Sequence, residues 1–167
     1  MENELRNRQI VEDVIAEVKN NRQPLILTER REHALIISQL ITDENICNLV
    51  LRGGMKSQEL KAAKESLNST QVLIATGKYI GEGFDLAKLD TLFLALPISW
   101  KGSLAQYVGR IHRQHAGKER VIVYDYVDQS LPMLQRMFNK RVKGYDALGY
   151  TLTYTGEQQM FQAKLKL

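Results

Sequence analysis

The amino-acid sequence predicts an α/β fold in which helices flank a mostly parallel central sheet. Five short apolar runs are continuous rather than alternating, which is typical of strands that are covered on both faces. Helix-like stretches separate these runs, and strands that alternate with helices favour a parallel sheet. With 167 residues, 44% hydrophobic and 25% charged, the chain has an ordinary globular composition and a length that fits one domain. The runs are PLIL (24–27), NLVL (48–51), VLIA (72–75), TLFLAL (91–96) and RVIVYDYV (120–127).

Three amphipathic stretches in the first half of the chain predict helices. Apolar residues at helical spacing run from Leu5 to Val18, ahead of the first strand. Residues 30–42 follow that strand, and residues 57–67 follow the second strand, with Ser57 as the expected N-cap. The apolar positions in the 30–42 stretch are Ala34, Leu35, Ile37 and Ile41.

The segment QYVGRIHRQH (106–115) predicts a helix with two different faces. Gln106, Arg110 and Arg113 are spaced i, i+4 and i+7 and therefore share one face. Planar guanidinium groups suit carboxylates and phosphates, so this face is a candidate for binding such a group. The opposite, apolar face is predicted to consist of Leu104, Val108 and Ile111.

A last helix is predicted from Leu131, in the segment PMLQRMFNKRVKGYDALGY. Its apolar residues recur every four positions, and Gly144 and Gly149 are the expected stops. Its basic residues predict a solvated face, with a contribution to nucleic-acid affinity as the alternative. These residues are Lys140, Arg141 and Lys143.

Composition and charge exclude several classes of protein. The net charge of +4 and the pI near 9.2 permit nucleic acid as a partner without requiring it. The single cysteine, Cys47, excludes an internal disulfide and a cysteine-based zinc site, and its apolar neighbours predict a buried thiol. No run approaches the about 18 apolar residues of a membrane helix, and no signal-peptide core is present. We therefore expect a cytoplasmic protein without a membrane partner.

The sequence contains no loop that could cradle the phosphates of a nucleotide. A Walker A loop needs the pattern G-x-x-x-x-G-K-[ST]. The pairs Gly77-Lys78 and Gly117-Lys118 lack both the earlier glycine and the following Ser or Thr, and the GEG at 81–83 lacks dinucleotide-loop spacing. We therefore expect no nucleotide hydrolysis by this chain alone.

Polar clusters follow the predicted strands, and ligands of open parallel sheets bind beyond the carboxyl ends of the strands. The clusters are Thr28–Arg31, Arg52–Ser57, Thr76–Lys78, Pro97–Ser103, and Asp125 with Asp128. Clusters at the end of every predicted strand indicate a functional surface along one edge of the sheet rather than ordinary turns.

Four segments of the sequence resemble helicase motifs. VLIATGKYIGEGFDLAKLDTLFLA followed by QYVGRIHR resembles motifs V and VI of superfamily-two helicases, in the second of their two RecA-like lobes. PLILTERREHA resembles motif IV, and LRGGMKSQEL resembles the element after it, so the resemblance runs from about Pro24 to Val127. The forms EGFD and YDYVD most resemble the DEAD/DEAH-type group that holds type III restriction-enzyme res subunits and DNA-repair helicases.

The resemblance implies a RecA-like three-layer domain that is one part of a larger motor. Residues 1–23 would be a leading helix, residues 24–128 the helicase core and residues 129–167 an appended helical segment. The implied function is the C-terminal lobe of an ATP-dependent DNA helicase or translocase. It would be inactive without the lobe that carries Walker A and the D-E-x-[HD] box, and that lobe would hold most of the ATP and Mg²⁺. DNA, with RNA as an alternative, and the N-terminal lobe are the implied partners.

The resemblance also implies roles for individual residues. Arg113 matches the arginine finger, Arg110 its companion at the γ-phosphate, and Gln106 the polar residue that opens motif VI. The residues matched to the nucleotide side are Gly83 and Asp85, together with the two arginines. The residues matched to contacts with the nucleic-acid backbone are Thr28, Arg30, Gly53, Thr76 and Gly77.

Some interpretations have alternatives. Trp100 is expected to pack against protein, with stacking on a base as the alternative. His112 and His115 have the i, i+3 spacing of metal ligands, but no third ligand lies nearby in the sequence and a metal site is not expected. For the chain as a whole, the alternative function is a non-catalytic module, derived from a helicase lobe, that binds nucleic acid or a protein.

Overall fold

The computed structural model describes residues 4–76, 87–95, 104–112, 116–127, 131–155 and 160–166. The chain divides into two compact units, Met1–Asp85 and Leu86–Leu167. Within the described ranges, no helix combines the length and the apolar character that a membrane crossing requires.

The first unit alternates helices with parallel strands, as the sequence predicts. β3 lies between β2 and β1 and is parallel to both, so each strand of this unit starts at the same edge. The described elements are α1 (Glu4–Lys19), β1 (Pro24–Thr28), α2 (Arg31–Asp43), β2 (Asn48–Leu51), α3 (Ser57–Ser66), a 3-10 turn (Leu67–Ser69) and β3 (Val72–Thr76).

The core of the first unit joins the two fully buried strands β1 and β3 to the apolar stripes of α1 and α2. Leu35, one of the apolar positions predicted for α2, is 47% exposed and is not part of the core. It lies about 100° around the helix from Ala34 and therefore outside the stripe that packs on the strands. The fully buried helical residues are Ile10, Val14, Ala34, Ile37 and Ile41.

Cys47 is exposed, and the predicted buried thiol is wrong. The residue lies just before β2, and the first three residues of β2 are themselves only half-buried. The apolar neighbours that suggested burial therefore belong to a strand that is covered incompletely.

The second unit combines parallel and antiparallel pairing. β4 and β5 are parallel, β7 pairs with β5 in the antiparallel sense, and β6 pairs with β7 in the same sense. The described elements are β4 (Thr91–Leu94), α4 (Ala105–Ile111), β5 (Arg120–Tyr126), α5 (Pro132–Ala147), β6 (Thr151–Thr155) and β7 (Met160–Lys166).

The C-terminal segment is not wholly helical. α5 forms where it is predicted, but β6 and β7 follow it, and the expected helical segment over 129–167 therefore needs correction. The sequence TLTYT of β6 carries the signal, because threonines alternate with Leu152 and Tyr154 in the two-residue period of a strand.

A buried ion pair joins α5 to β5. The Arg141 guanidinium donates through Nε to Oδ2 of Asp125 (2.7 Å) and through Nη2 to Oδ1 (2.9 Å), and Tyr145 donates its hydroxyl to Oδ2 (2.9 Å). Arg141 and Asp125 are each 1% exposed, so the predicted solvated basic face does not include Arg141. The guanidinium turns inward because it meets a buried carboxylate, whereas Lys140 and Lys143 are exposed.

Candidate functional site: one edge of the first unit and helix α4

The carboxyl ends of the three parallel strands in the first unit bring several predicted site residues together. Thr28 and Thr76 are register partners at the ends of β1 and β3, and Leu51 at the end of β2 is the partner of Ala75. Arg30 and Gly53 follow β1 and β2 by two residues each. Four of the five residues predicted to contact nucleic acid therefore belong to one sheet edge; the fifth, Gly77, lies outside the described residues.

Both threonines at this edge are buried. Thr28 is 0% exposed and Thr76 is 9% exposed. Oγ1 of Thr28 lies 2.9 Å from Nδ1 of His33 and accepts the backbone N–H of Arg30 at 3.4 Å. The structure therefore gives the Thr28 hydroxyl partners within the chain, and its direct contact with nucleic acid stays a prediction.

Arg30 is exposed at the N-cap position of α2. Its backbone is extended (φ −109°, ψ 127°), and its carbonyl accepts the N–H of Ala34 at 3.1 Å. Arg30 is therefore held through both of its backbone polar groups, while its side chain lies at the surface.

The turn between β2 and α3 presents cations and exposed glycines. Gly54 has φ +78°, a conformation that glycine adopts without steric cost, and Gly53 beside it is exposed. Arg52 and Lys56 flank the glycines, and Glu59 contacts both: Nη2 of Arg52 lies 3.8 Å from Oε1, and the Lys56 N–H donates to Oε2 at 2.8 Å.

The start of α3 therefore differs from the prediction in one detail. Ser57 is the first helical residue rather than the N-cap, because Lys56 occupies the cap position and the Glu59 carboxylate satisfies its backbone N–H.

In the second unit, α4 carries the backbone positions of Gln106 and Arg110. Its predicted apolar face is confirmed, since Leu104, Val108 and Ile111 are all 0% exposed. The side chains of Gln106 and Arg110 are outside the described part, as are residues Arg113, Gly83 and Asp85 entirely. Their predicted roles stay predictions.

The end of α4 is held by contacts of Lys118 and Tyr150, two residues for which the sequence predicts no role. Lys118 donates Nζ to the backbone carbonyl of Ile111 and to that of Ala87, the latter at 3.3 Å. Nε2 of His112 and the Tyr150 hydroxyl form a hydrogen bond. Burial, followed by the charge of Lys118, lowers the pKa of His112. An ammonium group at a helix C-terminus is favourable because it meets the negative end of the helix dipole.

The described residues contain no group of three or more His, Cys, Asp or Glu side chains that could hold a metal ion. The ring of His112, one of the two histidines with metal-ligand spacing, lies against the ring of Tyr150, with centroids 5.3 Å apart. Trp100 and His115 lie outside the described ranges.

Two polar residues near this edge, His33 and Asn7, were not predicted from the sequence. Both are buried, at 2% and 5% exposure. A signal was present, because His33 precedes Ile37 and Ile41 by four and eight positions and so lies in the apolar stripe of α2. A polar residue in such a stripe needs a buried partner.

Comparison with known proteins assigns the family. Residues 6–115 match the model of the helicase conserved C-terminal domain. The chain belongs to this family. It is 33% identical over 161 residues to the putative helicase 161L of Invertebrate iridescent virus 6, a match that covers 88% of this chain and 34% of that protein. It is 25% identical over 135 residues to the transcript termination protein A18 of Fowlpox virus (79% and 29% covered). This helicase-family chain thus spans about a third of the length of these relatives.

Solved structures confirm the RecA-like fold of this helicase C-terminal domain. T4 UvsW superposes with a TM-score of 0.68 at 19% identity, covering 85% of this chain and 32% of UvsW. Dbp5 of S. cerevisiae, bound to RNA and ADP BeF3, superposes with a TM-score of 0.59 at 17% identity, covering 86% and 37%. These structures confirm the predicted fold class, and the family model confirms the helicase C-terminal assignment.

Proposed function

We propose that this chain is the C-terminal lobe of an ATP-dependent superfamily-two DNA helicase or translocase. The observation that carries the proposal is the family match over residues 6–115, which includes the whole QYVGRIHRQH segment. The relative called a putative helicase supports the same assignment. The helicase core would extend over residues 24–128, with residues 1–23 leading into it and 129–167 appended.

In this proposal, Arg113 and Arg110 act on an ATP molecule held by a second lobe. Phosphoryl transfer spreads negative charge over the γ-phosphate, and an arginine supplied across an interface accelerates it by about 10³–10⁵. The buried stripe of α4 supports the proposal, because helical spacing puts positions 106 and 110 on the other side of the helix from that stripe. Gln106 would open the same motif.

ATP and Mg²⁺ would be bound mainly by the lobe with the Walker A loop. From this chain, Gly83 and Asp85 would meet the nucleotide. We assign the Mg²⁺ ligands to the other lobe, because the resemblance implies that it carries the D-E-x-[HD] box. Mg²⁺ supplies charge neutralisation between the phosphates in such reactions.

The carboxyl edge of the first unit would grip the nucleic-acid backbone. Arg30 and the exposed Gly53 turn would lie along the phosphates, with Thr28, Thr76 and Gly77 nearby. Contacts with phosphates ignore sequence, which suits a protein that moves along its substrate.

We propose DNA as the substrate, and the group of res subunits and DNA-repair helicases as the subgroup, from the forms EGFD and YDYVD. Relatives called transcript termination proteins, and the structure of Dbp5 with RNA, make RNA the other arm of the test.

A mixing experiment tests the proposal. The chain is combined with a separately purified lobe that carries Walker A and the acidic box, and phosphate release is measured with ATP, Mg²⁺ and either DNA or RNA. We expect no turnover by the chain alone, turnover on mixing, and loss of about 10³-fold or more with Arg113→Ala. Arg136→Ala, at an exposed arginine of α5, is the control and should keep full turnover.

The outcomes separate the alternatives. Turnover that persists in Arg113→Ala would exclude the finger role. Nucleic-acid binding without any turnover on mixing would favour the non-catalytic module. Stimulation by RNA but not by DNA would overturn the DNA assignment alone.

A further inference from the structure

A directed series of three hydrogen bonds crosses the first unit and ends at Arg30; the first two are buried and the last is partly buried. Nε2 of His33 lies 2.9 Å from Oδ1 of Asn7, and Nδ1 of His33 lies 2.9 Å from Oγ1 of Thr28. Oγ1 of Thr28 in turn accepts the N–H of Arg30 at 3.4 Å. This series of hydrogen bonds therefore joins α1, α2, the end of β1 and the exposed arginine after it.

Asn7 sets the direction of these hydrogen bonds. An amide oxygen only accepts, so Nε2 of His33 donates to it, and in the neutral imidazole Nδ1 is then the acceptor. The Thr28 hydroxyl then donates to Nδ1, and its oxygen keeps a lone pair for the Arg30 N–H. Each group in the series has the one role that its neighbour requires.

Burial makes this arrangement restrictive. Thr28, His33 and Asn7 are 0%, 2% and 5% exposed. A buried polar group without a partner is costly, so rotation of the Thr28 hydroxyl away from His33 is disfavoured. The Arg30 N–H therefore meets an oxygen of fixed orientation, while the Arg30 carbonyl is held by Ala34.

We infer that His33 is a positioning residue for nucleic-acid binding: it orients the Thr28 hydroxyl, which holds the backbone at Arg30 and so sets where the Arg30 side chain meets a phosphate. This inference rests on the proposed function, because it requires Arg30 to contact nucleic acid. It also gives buried Thr28 a part in binding without direct contact.

Two substitutions at His33 separate its hydrogen bond with Thr28 from its hydrogen bond with Asn7. The amide of an asparagine side chain comes close to the place of Nδ1, so His33→Asn keeps an acceptor for Thr28. The amide of a glutamine reaches the place of Nε2, so His33→Gln keeps a partner for Asn7 and removes the acceptor for Thr28. Kd is measured by fluorescence anisotropy with fluorescein-labelled single-stranded DNA, and with RNA of the same sequence.

We expect His33→Gln to raise Kd about five-fold, the equivalent of one hydrogen bond of about 1 kcal/mol, and His33→Asn to change it little. In an Arg30→Ala background, His33→Gln should have no further effect on Kd. Arg30→Ala and His33→Gln should each lower the slope of log K against log salt concentration, by up to about one unit, because one phosphate contact is lost.

A purely structural role for His33 predicts a different result. Equal effects of His33→Asn and His33→Gln, or an undiminished effect of His33→Gln in the Arg30→Ala background, would overturn the inference. If His33→Gln does not fold, Thr28→Val and Thr28→Ser replace it: Thr28→Val should weaken binding and Thr28→Ser should not. The reverse, or equal affinities, would overturn it as well.

The same measurements separate this inference from the proposed function. If neither DNA nor RNA binds the wild-type chain, or if Arg30→Ala leaves Kd unchanged, the proposed binding edge is wrong. If Arg30→Ala weakens binding and both His33 variants bind like wild type, only the role of His33 is wrong.

Discussion

Replacing Arg141 by methionine tests how strongly the buried ion pair holds α5 on β5. Arg141→Met keeps much of the side-chain volume and removes the guanidinium. Among the described side chains, the hydroxyl of Tyr145 would then remain as the partner of the Asp125 carboxylate, which is 1% exposed. Burial acts to lower the pKa of Arg141, but the hydrogen bonds and charge of Asp125 outweigh it and raise that pKa, so the guanidinium stays charged.

The expected loss follows from the geometry. Two short hydrogen bonds of 2.7 and 2.9 Å disappear, and one buried charge is left without its counter-ion. Removing one partner of a buried ion pair costs about 3–5 kcal/mol of unfolding free energy. Replacing both partners by apolar residues removes the stranded charge, so Asp125→Leu with Arg141→Met should cost less than Arg141→Met alone.

Urea unfolding followed by circular dichroism measures these free energies. Arg136→Met, at an exposed arginine of the same helix, is the control and should change stability by no more than about 0.5 kcal/mol. A loss below about 1 kcal/mol in Arg141→Met would be the value of a surface pair and would refute the reasoning.

Two further predictions follow from the site residues. Because burial and Lys118 lower the pKa of His112 below its usual value of about 6.5, the unfolded chain binds more protons just below that pH. The unfolding free energy should therefore fall as the pH drops below about 6.5, and His112→Gln should flatten this part of the profile; an unchanged profile would contradict it. Lys56→Ala, at the exposed turn after β2, should lower the salt slope of DNA binding by about one unit, whereas Lys19→Ala at the far end of α1 should leave it unchanged. Equal slopes in the two variants would remove Lys56 from the interface.

Strands β1 to β5 and the buried face of α4 were predictable because burial imposes a pattern on the sequence. Continuous apolar runs gave β1, β3 and β5, and the spacing of Leu104, Val108 and Ile111 gave the buried face of α4. These features depend on local spacing, which a sequence displays directly.

Two of the features that were missed depend on partners distant in the chain. In the sequence, Arg141 belongs to a basic cluster that predicts a surface position. In the structure it pairs with buried Asp125, which lies sixteen positions earlier. His33 and Asn7 are twenty-six positions apart and meet only when α1 packs on α2. No local period encodes such a pair, although a histidine within an apolar stripe is a warning of one.

The antiparallel pairing of β7 with β5 has a consequence for biosynthesis. Residues 160–166 are made after α5 and β6, so on the ribosome one side of β5 has no strand partner until they emerge. Unpaired strand edges invite association with other chains. Premature stop codons or proteolytic cleavage before residue 160 should therefore yield products that aggregate, even when every residue of β5 is intact.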